Sequence, residues 1–196
     1  MDKRFLGIIA AIIVVIAGIV IFTNHGQSGK TDHNGSVGTP TNHVEGQGKD
    51  GLKLVEYGDY ECPYCGEYDP IVKQVASIYD QQITFQFRNY PLTEVHPNAF
   101  AAGRAAEAAG IQGKFWQMHD VLYQDQNQWV SAKDPEPIFV SYAQQLSLNE
   151  AKFKQDFSSN KVNNLINADE AEGNKLNIQG TPTFYLNGQT IKPNIS

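Results

Sequence analysis

The sequence predicts one α/β domain with a helical insertion, preceded by a single N-terminal transmembrane helix. Three observations predict it. A strand–helix–strand pattern runs from residue 52 to 88, about 80 helix-rich residues follow, and the chain then returns to a short strand pair. At 196 residues and 41% hydrophobic content, the chain suits one domain plus an appendage. Its formal charge of -6 excludes the basic footprint that non-specific nucleic-acid binding needs.

The appendage is an uncharged apolar run at residues 5–22. At a rise of ~1.5 Å per residue it spans roughly 27 Å, close to a hydrocarbon core. Lys3 and Arg4 precede it, which puts the N-terminus in the cytoplasm and the rest outside. A cleaved signal peptide is the rival reading, but Phe22-Thr23-Asn24-His25 lacks a small-x-small exit. Residues 1–22 are therefore read as an anchor in the cell membrane. Residues 23–50, with six glycines and almost no large apolar residue, read as a flexible linker. His25, His33 and His43 fall in it at a spacing that fits no compact metal motif, and they read as solvated. The domain is expected at 51–196, with the insertion at about 97–176.

Residues 52–57 form a near-continuous apolar run, as in a buried central strand. Ile71, Val72, Val75, Ile78 and Tyr79 recur at helical spacing. Ile83, Phe85 and Phe87 then alternate with Thr84, Gln86 and Arg88, which is strand periodicity. In the insertion, residues 98–109 are alanine-rich, and 114–123 share an apolar face. Residues 138–146 follow a Pro135–Pro137 break. Ser147-Leu148-Asn149-Glu150 reads as a capping box for a helix with Phe153 and Phe157 inward, and residues 161–176 form one more helix. Asn187-Gly188 then signals a hairpin between residues 183–186 and 189–192.

The chemistry centres on the chain's two cysteines, Cys62-Pro63-Tyr64-Cys65. Disulfide exchange needs a thiolate that attacks and a second thiol near enough to resolve the mixed disulfide. At the start of a helix, Cys62 meets unpaired backbone N–H groups and the positive end of the helix dipole. Its pKa is expected to fall below ~8.5, into the range of roughly 3.5–7.5 found at such sites. Cys65, one turn deeper, is the resolving thiol. Pro63 suits the first helical turn. Glu56 falls inside an apolar strand; it is either a buried acid that takes a proton from Cys65 or a strand-edge residue facing water. Downstream, Gly180-Thr181-Pro182-Thr183 enters a strand, where a proline cannot donate to the ladder.

A zinc site from Cys62, Cys65, His96 and His119 is the metal alternative. Pro63, the helix start and the lack of a second ligand pair at zinc-knuckle spacing favour redox chemistry. His96 reads as shaping a turn, and His119 as lying on a helix face. Tyr60, Tyr64 and Tyr90 are candidates for a substrate groove around Cys62. Asp59 and Glu61 would oppose its ionisation if close.

With these pieces in place, the chain resembles DsbA-like thiol:disulfide oxidoreductases of the thioredoxin superfamily over about residues 53–188. The resemblance rests on Val55-Glu56-Tyr57-Gly58-Asp59-Tyr60-Glu61-Cys62-Pro63-Tyr64-Cys65, on Phe87-Arg88-Asn89-Tyr90-Pro91-Leu92 with His96-Pro97, and on Gly180-Thr181-Pro182-Thr183-Phe184 with Asn187-Gly188. Lys114-Phe115-Trp116-Gln117-Met118-His119 is similar to the start of the family's inserted segment.

The resemblance implies a thioredoxin-like fold split by a helical subdomain, a cis Pro182 beside Cys62, and Glu56 as the buried acid. Thr181, Pro63 and Tyr64 are expected to meet substrate. No cofactor is implied beyond the redox-active Cys62–Cys65 disulfide, and no metal. Implied partners are reduced secreted proteins and a quinone-linked membrane reoxidase, DsbB-like or VKOR-like, outside the cytoplasm. A reductase or isomerase is the alternative within the class, and a non-catalytic peptide-binding adaptor the alternative outside it. Two departures stand out. Strongly oxidising members often have His where this chain has Tyr64. The family also usually closes with a helix, whereas Pro193-Asn194-Ile195-Ser196 ends this sequence, so a less covered sheet face or a truncated sequence is expected.

Overall fold

A computed structural model describes residues 38–192. The anchor expected at residues 5–22 lies outside the described residues, and so do residues 193–196. Among the described residues no helix is long and apolar enough to cross a membrane.

A five-stranded sheet in the order β1-β3-β2-β4-β5 forms the frame. Its strands are β1 (His43–Glu45), β2 (Leu52–Gly58), β3 (Ile83–Asn89), β4 (Thr183–Leu186) and β5 (Gln189–Ile191). β2 and β3 pair in parallel, and the remaining neighbours are antiparallel. The parallel pair needs a crossover, which helix α1 (Pro63–Ile78) supplies. The β4–β5 turn has Asn187 and Gly188 both at positive φ (48° and 78°), the geometry that the Asn-Gly pair signals.

Alternation along the strands sorts the core. Leu52, Leu54, Ile83, Phe85, Phe184 and Leu186 point to one face and meet Tyr68, Ile71, Val72 and Val75 of α1. Glu56, two residues beyond Leu54, shares that buried face. Pro70 lies inside α1 without ending it.

The insertion has five helices: α2 (Ala99–Ile111), α3 (Phe115–Gln124), α4 (Gln126–Trp129), α5 (Glu136–Gln145) and α6 (Glu150–Phe157). A sixth, α7 (Asn160–Lys175), leads back to the sheet. Met118, Leu122, Trp129, Phe139 and Phe153 are buried together, and Tyr60, Cys62, Cys65 and Phe87 belong to the same cluster. The Cys62–Cys65 motif therefore lies at the seam between the sheet lobe and the helical lobe.

The structure corrects several expectations. The domain begins before residue 51: Thr41 is buried, with its N–H and hydroxyl both donating to Asp169 at 2.7 Å. His43 stacks on Phe115 at 3.5 Å between ring centroids and contacts Glu107 at 2.9 Å. Two buried carboxylates of the helical lobe thus convert the end of the expected linker into an edge strand. On the polar side of β3, Gln86 and Arg88 are buried. Gln86 donates to Asn42 at 3.1 Å, just before β1, and Arg88 Nε donates to Glu172 of α7 at 2.9 Å, so these two segments cover part of that side. The expected capping box is absent: Ser147 adopts positive φ, and Asn149 caps α6 by accepting from Lys152 N–H at 2.9 Å.

The sheet face opposite α1 is only partly covered. Val55, Tyr57, Arg88, Leu176 and Tyr185 line an open groove of about 230 Å³ there.

Candidate active site

Asp59 builds the turn that presents the cysteines. Its carboxylate accepts from Glu61 N–H at 2.8 Å, a turn two residues long of the kind Asp favours. Its carbonyl accepts from Cys62 N–H at 3.1 Å. Cys62 then stands at the N-cap of α1 in extended conformation, without a side-chain cap bond, and Pro63 occupies the first turn. The first-turn N–H groups are left facing the Cys62 sulfur.

The downstream half of the site arrives on β4. The Thr181–Pro182 bond is cis, and the Cys62 thiol donates to Thr181 C=O at 3.4 Å. Residues 119 positions apart thus meet at one sulfur. Both cysteines are free thiols and both are buried, Cys62 at 4% exposure and Cys65 at 0%. Asp59 N–H donates to Cys65 Sγ at 3.5 Å. Tyr64, by contrast, is 62% exposed at the mouth of the site.

The two sulfurs are driven in opposite directions. The Cys62 pKa is lowered to about 6. The Cys65 thiol, hydrogen-bonded to Cys62, is the largest cause; the Thr181 side chain and the N–H groups of Cys65 and Tyr64 add to it against the cost of burial. The Thr181 hydroxyl has no partner beside the neutral thiol, which leaves it available to donate once Cys62 ionises. Burial pushes the Cys65 thiol well above its ordinary value, and Cys62 and Glu56 push it further. Glu56 is 2% exposed with Oε1 unpartnered, which settles the choice between buried acid and solvent-facing residue. Burial raises its pKa well above the usual carboxylate range, helped by Asp69 and Cys62.

The other expected residues fall in different places. Tyr60 and Tyr90 are buried and do not line a groove. Tyr60 donates or accepts at His119 Nδ1 (3.0 Å), and Tyr90 OH donates to Asn174 at 2.7 Å. Asp59 and Glu61 turn away from Cys62: Asp59 also holds Leu92 N–H and His96 Nδ1, and Glu61 accepts from Asn98 N–H at 2.6 Å.

His119 is buried and has both ring nitrogens engaged, the second near Asp69 at 3.4 Å. The four-residue zinc set is therefore not assembled. Among the described residues, Asp69, His119 and Asp120 bring possible ligand atoms within 4.8 Å of one another. Lys73 Nζ already lies 2.8 and 2.9 Å from the two carboxylates.

Sequence reading missed the reach of the insertion into the site. Gln126 Nε2 donates to Tyr60 C=O at 2.7 Å and to Cys62 C=O at 3.0 Å. A Cβ at Gly66 would stand 3.0 Å from the Gln126 amide, so glycine leaves room for this clamp. Tyr123 is buried with its hydroxyl unpartnered, and burial, then Cys65, pushes its pKa well above the ordinary phenol value. No local pattern announces a contact across 64 residues.

Comparison with known proteins gives a consistent placement. The family model described as thioredoxin matches residues 38–196. A thioredoxin-like oxidoreductase from Silicibacter pomeroyi DSS-3 superposes with TM-score 0.64 at 25% identity, covering 78% of this chain and 83% of that one. BdbD from Bacillus subtilis superposes with TM-score 0.70 at 23% identity, covering 81% and 89%. The α-DsbA2 thiol-disulfide exchange protein of Wolbachia pipientis gives TM-score 0.65 at 17% identity, covering 97% and 90%.

Curated relatives include a protein named Na(+)/H(+) antiporter NhaA 1 from Salinispora arenicola, 39% identical over 148 residues. That match covers 75% of this chain but 22% of the relative, so the chain spans about a fifth of its length. The family match, the insertion between β3 and β4 and the paired thiols beside a cis proline lead to one conclusion: the chain belongs to the thioredoxin family, with a helical insertion in its fold.

Proposed function

We propose that this protein is a membrane-tethered, extracytoplasmic thiol:disulfide oxidoreductase that introduces or exchanges disulfides in secreted proteins. The observation that carries the reading is Cys62 at the N-cap of α1, its sulfur 3.4 Å from the Thr181 carbonyl, with Cys65 fully buried one turn below.

In the oxidised protein a substrate thiolate attacks Cys62, and Cys65 leaves. A second substrate thiol then displaces Cys62, and the substrate departs oxidised. Stabilising the Cys62 thiolate makes it the better leaving group in that second step. Glu56 exchanges a proton with Cys65, which burial prevents from trading protons freely with water. Thr181 offers its backbone to an extended substrate beside Pro182, while Pro63 and the exposed Tyr64 form the adjoining contact surface. Reduced secreted proteins are the substrates. A quinone-linked membrane partner, DsbB-like or VKOR-like, restores the disulfide. The apolar run at residues 5–22 supports the tether, and the use of a redox disulfide suits an oxidising compartment.

The direction of electron flow follows from the thiolate. A Cys62 pKa of about 6 lies between those of strong oxidants, about 3.5, and thioredoxin, about 7. Tyr64 brings no cation to the thiolate, so this protein is a milder oxidant than members with His there. A reduction potential above that of thioredoxin supports the oxidase reading, and one equal to it supports a reductase. The ion exchange in the names of the curated relatives is not proposed for this chain. Insulin reduction and oxidation of a reduced test protein are expected to vanish in Cys62→Ala; full activity in that variant would refute the mechanism.

A further inference from the structure

The step that releases Cys65 is chemically demanding. When substrate thiolate attacks Cys62 Sγ, a substrate–Cys62 disulfide forms and the Cys62–Cys65 bond breaks. Cys65 departs with the bonding electron pair as a thiolate, and later takes a proton. This negative charge appears on a sulfur with 0% exposure, where water cannot solvate it. Leaving thiols depart faster when their thiolate is stabilised.

We infer that the main-chain N–H of Asp59 receives the departing Cys65 thiolate, and that the Asp59 carboxylate and His96 aim it. The inference rests on the oxidoreductase reading above. The N–H lies 3.5 Å from Cys65 Sγ. A fixed donor pointed at developing charge in a dry site contributes more than the same donor in water, because it needs no reorganisation.

The donor is fixed from several sides. The Asp59 carbonyl accepts from Cys62 N–H at 3.1 Å, so one peptide segment touches both cysteines. The Asp59 side chain is 1% exposed and fully engaged. It accepts from Glu61 N–H at 2.8 Å and Leu92 N–H at 2.8 Å, and its Oδ2 meets His96 Nδ1 at 2.7 Å. The β3–α2 loop is thereby fastened to the turn before Cys62. Asp59 acts on the reacting sulfur through its backbone, whereas His96 is a positioning residue acting through Asp59.

The test uses the oxidised full chain and a small dithiol as attacking probe, with single-turnover reduction followed by stopped-flow. Asp59→Ala keeps the N–H but loses the side-chain bonds that aim it, and is expected to slow the step about tenfold, the scale of one hydrogen bond. His96→Ala is expected to slow it about threefold, with His96→Asn restoring most of the rate. The Cys62 titration of the reduced variants should keep the parent midpoint. A matching shift there would assign the slowing to distortion of the site and overturn the inference. Parental rates in folded Asp59→Ala would overturn it too. If Asp59→Ala does not fold, His96→Ala decides, and a parental rate in it refutes the positioning role. A parent that exchanges no disulfide removes the oxidoreductase reading and this inference together, whereas an active parent with unaffected variants removes only this inference.

Discussion

The sheet lobe and the helical lobe meet at the two cysteines but contribute in different ways. The sheet lobe supplies backbone: the start of α1, the Thr181 carbonyl and the Asp59 N–H all contact sulfur without a functional side chain. The helical lobe supplies side chains that reach inward. Gln126 holds two carbonyls of the motif, while Glu107 and Asp169 hold β1 and the end of β3. Backbone geometry sets which atoms face the sulfurs and is insensitive to most substitutions. Side-chain clamps set how firmly that geometry is kept, and single substitutions can remove them.

Breaking the deepest clamp should cost the most. The Asp169 carboxylate is fully buried and accepts from Thr41 N–H, the Thr41 hydroxyl and Asn89 N–H. Asp169→Ala leaves those buried donors without their partner, and is expected to destabilise the fold by about 3–5 kcal/mol in chemical denaturation. A loss under about 1 kcal/mol would mean the lobes are held together mainly by apolar packing.

A smaller effect is expected at the clamp nearest the chemistry. Gln126→Ala strands the Tyr60 carbonyl and leaves the Cys62 carbonyl with the Gly66 N–H alone, and should cost about 1–3 kcal/mol. The apolar core of the insertion is untouched, so the variant should stay folded while its exchange rate falls. Unchanged stability and rate would show that the sheet lobe alone fixes the motif.

This contrast also explains what could be read from the chain. The cysteine pair, the helix it opens and the Thr181–Pro182 entry to β4 were legible because each is encoded within a few neighbouring residues. Glu56 was legible as an anomaly, an acid in an apolar strand, but its burial depended on α1 covering it. The burial of Gln86 and Arg88 was not legible from their alternation, because the groups that cover them, Thr41 and Glu172, lie 45 and 84 positions away. His43 looked like linker for the same reason: its partner Glu107 is 64 positions distant. The Asp59–Glu61 turn left a local signal, an Asp two residues before the N–H it holds, whereas its bond to His96 left none.

The central claim is an acidified Cys62 above a buried Cys65 whose pKa is raised. The direct measurement is the thiolate ultraviolet absorbance of the reduced protein across pH, with Cys62→Ala as the blank. A single midpoint near 6, absent in the variant, is expected. Because this folded-state pKa is depressed below the unfolded value of ~8.5, the unfolded chain binds more protons between the two. The reduced form therefore gains stability over the oxidised form that is complete above the unfolded pKa and is lost as pH falls through about 6. A midpoint near 8.5–9 in the folded protein, or one that survives Cys62→Ala, would contradict the account.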